Sequence, residues 1–153
     1  MKQLFLSFAL LGILSSCKSD KKDEEEKNYQ VNVPEEEKKE KAALEESILR
    51  GKTVYADLCV TCHLPGGQGI PGTYPPLDGS NWLSKKREES IAAVKFGLSG
   101  PIKVNGKEYD NIMTPMGLSD REVADAMNFI MNSWSNNISP RVTVEEVRNI
   151  KKK

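Results

Sequence analysis

The stretch Cys59-Val60-Thr61-Cys62-His63 decides how the rest of this chain is read. Two thiols three residues apart, followed at once by an imidazole, form the C-x-x-C-H pattern of covalent haem attachment. The spacing has a mechanical reason. Two sulfurs can reach the two vinyl groups along one porphyrin edge, and the adjacent imidazole can swing beneath the plane to bind iron. Three rival readings fit less well. A structural zinc site takes four ligands, usually Cys or His; the region offers three, because the remaining cysteine, Cys17, lies across a long charged stretch. A thioredoxin-like redox pair expects a βαβ context, and the flanking sequence has no comparable strand pattern. A structural disulfide would not call for the histidine that follows.

His63 is the only histidine in the chain, so two imidazoles cannot share the iron. The sixth ligand must be a methionine, another group, or nothing. Met113, Met116, Met127 and Met131 are the candidates. Met127 and Met131 stand four apart on the apolar face of a helix pattern, which makes them core residues. Met113 and Met116 flank Pro115 in an irregular segment, and a loop methionine can project its sulfur onto iron. His/Met ligation raises the reduction potential relative to other axial pairs.

Working outward, Ser47 to Leu58 reads as a helix leading directly into the cysteine pair. Beyond the motif, Pro65, Gly66, Gly67, Gly69, Pro71, Gly72, Pro75 and Pro76 exclude helix and central strand. A second helix is predicted over Ser84 to Phe96, stopping at Gly97. Asn105-Gly106 marks a turn between two short extended pieces, Ile102 to Val104 and Glu108 to Tyr109. Ser119 and Glu122 have capping-box spacing. Val123, Met127, Ile130, Met131 and Trp134 then fall on one helical face, with Asn136-Asn137 ending it. Thr143 and Glu146 predict a further capped helix in the tail.

The amino-terminal part is different in kind. Lys2 and the apolar run Leu4 to Leu14 have the layout of a signal segment, too short to span a bilayer as a helix. Leu14-Ser15-Ser16-Cys17 resembles a bacterial lipobox, which implies lipidation at Cys17 and removal of residues 1–16. Residues 17–46 follow as a charged, flexible tether: positions 18 to 46 hold seven Lys, eleven Asp or Glu and one aromatic, Tyr29. Such a stretch cannot bury enough apolar surface to offset its ordering entropy. From Glu35 its Glu and Lys mixture suits a solvated helix that could continue into the first helix of the domain. The predicted organisation is a compact domain over residues 47–136 and a tail over 137–153. At 153 residues, with 22 basic and 22 acidic side chains, the chain suits one modest domain and carries no field that selects nucleic acid.

Residues 49 to 134 resemble single-haem class I cytochrome c domains, particularly bacterial cytochromes and the cytochrome subunits that accompany dehydrogenases and copper nitrite reductases. Gly51-Lys52-Thr53-Val54-Tyr55 is similar to the family's first helix, where a glycine allows the last helix, here with Phe129, to cross closely. Gly67-x-Gly69-x-x-Gly72 with Tyr74-Pro75-Pro76-Leu77 resembles the loop after the haem motif. Ser80-Asn81-Trp82-Leu83, Gly97 to Ile102 and Val104-Asn105-Gly106-Lys107-x-Tyr109 extend the likeness, and Met113-Thr114-Pro115-x-Gly117-Leu118-Ser119-Asp120 is similar to the loop of the axial methionine. The resemblance implies an all-α class I fold of three to five helices around one covalent haem c. It implies that the Pro75 carbonyl accepts the Nδ1 proton of His63 and that Leu77 packs on the haem face. Trp82 and Tyr109 would line the propionates, or serve as ordinary core aromatics. Met113 would be the distal ligand, with Met116 as the alternative, since the family more often has proline directly after the methionine.

The function expected from these residues is single-electron transfer outside the cytoplasm, between redox partners such as a dehydrogenase, reductase or oxidase. The lipid anchor would sit on the periplasmic or cell-surface side, and Lys18 after Cys17 favours the outer membrane. Nothing marks acid–base or nucleophilic catalysis, so no enzyme is expected. The alternatives are a five-coordinate haem protein that binds a diatomic ligand or acts as a peroxidase, and a haem-containing assembly subunit that never shuttles.

Overall fold

A computed structural model describes residues 34–152. The signal-like segment 1–16, Cys17 and the tether up to residue 33 lie outside the described residues. The order of elements is α1 (Glu35–Leu58), α2 (Val60–His63), α3 (Asn81–Lys85), α4 (Arg87–Phe96), β1 (Ile102–Val104), β2 (Lys107–Tyr109), α5 (Asp120–Met131) and α6 (Val144–Asn149). The additional helices beyond three to five are single turns: α2 has four residues and α3 five.

Helix α1 starts where Glu35, Glu36 and Glu37 meet the positive end of the helix dipole. It runs unbroken for 24 residues, so positions 35–46 of the predicted tether belong to a helix. Gly51 lies in its interior and weakens it locally by ~1 kcal/mol. The fold needs that glycine. A Cβ there would lie 1.9 Å from the carbonyl oxygen of Asp125 and 2.9 Å from Cβ of Phe129, so α1 and α5 cross backbone to backbone.

Polar groups lock the same crossing. The buried Asp125 carboxylate accepts from Ser47 Oγ and from Arg50 Nε and Nη2, at 2.7 and 3.0 Å for the arginine. The Asn128 amide donates to Ser47 Oγ and to the Val142 carbonyl, and accepts from the Val142 N–H at 2.7 Å. Each of these buried polar groups has a partner, which avoids the desolvation cost of an orphan. Tyr55, Phe129 and Trp134 then stack at centroid distances of 5.2 to 5.7 Å in tilted and edge geometries.

Three expectations need correction. The helix predicted over 84–96 is two helices, because Lys86 adopts φ −130°, ψ 54° between them. Helix α5 ends at Met131, and Trp134 lies beyond it at φ 56°, donating from Nε1 to the Pro65 carbonyl. Residues 137–152 are not a separate tail: Val142 and Val147 are fully buried beside Ile91, Val123 and Met131. Each such side chain is worth ~1.5–3 kcal/mol. Thr143 caps α6 through the Glu146 N–H, but the Glu146 carboxylate bonds Arg87 rather than closing the box. By contrast, Ser119 and Glu122 form the full reciprocal box on α5. The hairpin β1–β2 is antiparallel with Ile102 opposite Tyr109, as the Asn105-Gly106 turn predicts. Among the described residues no helix is long and apolar enough to cross a membrane.

Candidate haem-binding site

The cysteine motif is a single helical turn. Cys59 ends α1 and starts α2; its N–H donates to Tyr55, and its carbonyl accepts from Cys62 and His63. Cys59, Cys62 and His63 therefore occupy positions i, i+3 and i+4, which face one side of a helix. Leu64 at φ 64° stops the turn, and the Tyr55 hydroxyl donates to its carbonyl at 2.7 Å.

The loop that follows folds back onto this turn. Gly69 N–H donates to the His63 carbonyl, and the Gly67 carbonyl accepts from both Leu77 and Asp78. Gly69 has φ 62°, and a Cβ there would meet the Tyr74 and Pro75 carbonyl oxygens at 2.4 and 2.6 Å. Only glycine lets the chain close this tightly. The result is a contact of 3.0 Å between His63 Nδ1 and the Pro75 carbonyl. A carbonyl can only accept, so Nδ1 carries the proton and Nε2 keeps its lone pair. Burial holds the His63 pKa below its ordinary value, with the Pro75 bond opposing in part. The imidazole is thus neutral and oriented, the form in which histidine binds a metal.

Two clefts meet at this ring. One takes Cys59, Leu77, Trp82, Val94 and Met127 into its walls. The other takes Cys62, Tyr74 and Tyr109. Five residues line both: His63, Pro75, Leu98, Ile102 and Met113. A flat apolar group tied at one edge by two sulfurs, with its metal at His63, fits such a space. Each cysteine lines one cleft, and His63 and Met113 are common to both. The Cys59 thiol suits no thiolate role: burial pushes it up to about 11, with the neighbouring Cys62 adding to the effect, whereas a nucleophile or zinc ligand needs a depressed value.

Met113 is held by backbone alone. Its N–H and carbonyl exchange two bonds of 2.8 Å with Leu98, and Gly97 packs so close that a Cβ would lie 2.5 Å from the Met113 carbonyl oxygen. Met116 lines neither cleft. Met127 is a cleft wall as well as a core residue, a role that sequence reasoning misses; its helical period signals burial but not what it is buried against.

The model of the cytochrome c family matches residues 48–134, more than half of the chain. The chain belongs to the cytochrome c family. Cytochrome c-552 of Thermus thermophilus is 37% identical over 112 residues, covering 67% of this chain and 85% of that protein. The cytochrome c subunit of a quinone alcohol dehydrogenase from Gluconobacter oxydans is 31% identical over 108 residues, covering 66% of this chain and 22% of that subunit. A gluconate 2-dehydrogenase cytochrome c subunit from Pantoea cypripedii is 30% identical over 108 residues, covering 67% and 24%. The cytochrome has the class I fold, carries one covalently attached haem c, and serves as an electron carrier rather than a catalyst. Bound haem supplies an iron that gains and loses one electron.

Proposed function

We propose that Cys59 and Cys62 carry the thioether links, that His63 is the proximal ligand and that Met113 is the distal ligand of a low-spin electron-transfer haem. The observation that carries this reading is the shared lining: His63, with its ring oriented by Pro75, and Met113 both border the two clefts. Pro75 orients the ring, and Leu77 and Trp82 exclude water from one face of the space while Tyr109 borders the other. With His63 and Met113 both holding the iron, no position would remain there for substrate or dioxygen, and the haem would serve to take up and release single electrons. Partners then meet it briefly through a small interface.

The test is the pair Met113→Ala and Met116→Ala. Met113→Ala should abolish the far-red absorption band of methionine-ligated ferric haem and open the ferrous iron to rapid carbon monoxide binding. Met116→Ala should change neither. The opposite pattern would transfer the role to Met116; rapid carbon monoxide binding by the unaltered protein would support the five-coordinate alternative.

The cytochrome's place in the cell is read from sequence. The apolar run Leu4 to Leu14 before Cys17 supports a lipid anchor on the periplasmic or cell-surface side of a bacterial membrane, the outer membrane favoured by Lys18. Several acyl chains at about 0.8 kcal/mol per buried CH₂ anchor stably. A fatty-acid label retained by the natural chain and lost in Cys17→Ser tests this. The two dehydrogenase subunits among its relatives support a dehydrogenase as electron donor; reduction of the purified cytochrome by such an enzyme tests that.

A further inference from the structure

Three asparagines and one glycine form a seam along one edge of the haem cleft. Asn81 N–H donates to Asn105 Oδ1 at 2.9 Å, and Asn105 N–H donates back to Asn81 Oδ1 at 2.8 Å. Asn105 Nδ2 donates to the Gly79 carbonyl at 3.1 Å. Gly79 N–H in turn donates to Asn136 Oδ1 at 3.0 Å, and Asn136 Nδ2 donates to the carbonyls of Leu77 and Ile130 at 2.8 and 2.9 Å. The elements joined are the tip of the β1–β2 hairpin, the start of α3, the end of the loop after the haem motif and the end of α5.

Each of those elements supplies a wall of the cleft. The hairpin brings Ile102, Val104 and Tyr109, α3 brings Trp82, the loop brings Leu77 and α5 brings Ile130. The seam also does helix work. Ser80 makes no side-chain cap to α3, so Asn105 Oδ1 satisfies an otherwise orphan N–H at that helix start from across the cleft. Asn105 sits at φ 48°, a conformation that asparagine tolerates and most residues do not. Sequence position 105 looks like turn chemistry only; the structure gives its side chain two further bonds that a turn does not require.

We propose that Asn105 is a positioning residue for electron transfer: through Asn81, Gly79 and Asn136 it shuts the hairpin onto the haem and raises the reduction potential. The physical link is polarity. Ferric haem carries one more positive charge than ferrous haem, and a closed apolar wall disfavours that charge. A loosened hairpin admits water and favours the ferric state. The proposal rests on the electron-carrier function and not on which methionine ligates iron.

The test uses the mature haem-loaded protein. Asn105→Gly keeps the backbone conformation and removes both side-chain bonds, while Asn105→Asp keeps the acceptor to Asn81 and removes the donor to Gly79. In Asn105→Gly the oxidised-to-reduced ratio at a fixed ambient potential should rise about threefold, the change in equilibrium given by one hydrogen bond's net contribution. Asn105→Asp should also raise it, and amide hydrogen exchange at Trp82 and Tyr109 should quicken in both. The control is Asn149→Ala, which breaks an exposed bond to Glu145 at 3.1 Å within α6 and should leave the ratio unchanged. A loss of thermal stability in the Asn105 variants with unchanged potential and exchange would make the seam merely structural and overturn the proposal. If Asn105→Gly fails to load haem, the amide exchange of Asn105→Asp decides between the same two outcomes, because its new carboxylate charge lowers the potential by itself. The methionine assignment is read separately, from the far-red band of the unaltered protein.

Discussion

His63 and Met113 border the same two clefts, yet the chain holds them by different means. His63 belongs to a helical turn that continues directly from the 24-residue α1, and its ring is aimed by the Pro75 carbonyl. The loop supplying that carbonyl is pinned by Gly67, Gly69, Asn136 and the Trp134 indole. Met113 sits in irregular chain, fixed by one two-bond bridge to Leu98 and flanked by the exposed Asn111, whose amide donates to the Thr73 carbonyl at 3.0 Å. The side that must carry covalent attachment is built into secondary structure. The side proposed to supply one sulfur is clasped by a few backbone bonds.

The largest effect that breaks this comparison is chemical. Cys59→Ala with Cys62→Ala should abolish covalent haem entirely, so that denaturing electrophoresis followed by haem staining shows no stained band. Haem retained on the denatured double variant would sink the assignment. Next is the frame that aims the His63 turn. Gly51→Ala places a Cβ 1.9 Å from the Asp125 carbonyl oxygen, and backbone cannot swing aside as a flexible side chain can. Overpacking of this kind costs ~1–3 kcal/mol and occasionally more, and Gly51 should lie at the upper end. Thermal unfolding of the haem-loaded form should fall sharply, while any protein that does fold keeps its far-red band.

Gly97→Ala probes the other side. The new Cβ would lie 2.5 Å from the Met113 carbonyl oxygen and 2.9 Å from Pro115 Cδ, at φ 79°. A left-handed non-glycine residue alone costs ~1–3 kcal/mol. Here the far-red band should weaken as well, because the displaced backbone carries Met113. A variant that loses stability with the band intact would show that the Leu98 bridge does not position the sulfur.

The same contrast explains what could be read from sequence. The His63 side was legible because its groups are neighbours in the chain: five residues state the chemistry, and the glycines and prolines after them state the loop. The two-strand hairpin and the α5 cap were legible for the same local reason. The proposed choice of Met113 over Met116 has no local signal, since both flank Pro115; it rests on cleft lining, and the chain there is fixed by a pairing with Leu98, fifteen positions earlier. The contribution of residues 137–152 to the core was not legible because their apolar positions, Ile138, Val142, Val144, Val147 and Ile150, share no long helix; α6 has only six residues. Val142 is tied to α5 through its backbone by Asn128, fourteen positions earlier. The break at Lys86 also had no breaker residue to announce it. Long-range amide pairings of this kind leave no periodicity.

The smallest expected effect concerns the ground behind the Met113 side. Helix α4 leads into Gly97 and Leu98, and α6 braces it: the Glu146 carboxylate accepts from Arg87 Nε and Nη2 at 2.6 and 2.9 Å. That hydrogen-bonded guanidinium holds the Glu146 carboxyl below its ordinary value of 4.5, against a smaller opposing effect of burial. A carboxyl whose folded value is depressed contributes stability above the unfolded value and loses it as pH falls through the folded one. Glu146→Gln should therefore cost about 1 kcal/mol at neutral pH. The gap between variant and parent should close as pH drops below 4.5. The measurement is thermal unfolding of both proteins across that range. Since α4 carries the Leu98 end of the bridge, the far-red band should melt earlier than the helical signal in Glu146→Gln at neutral pH. Simultaneous loss of band and helix would mean that the Met113 side is as firmly tied to the core as the His63 side.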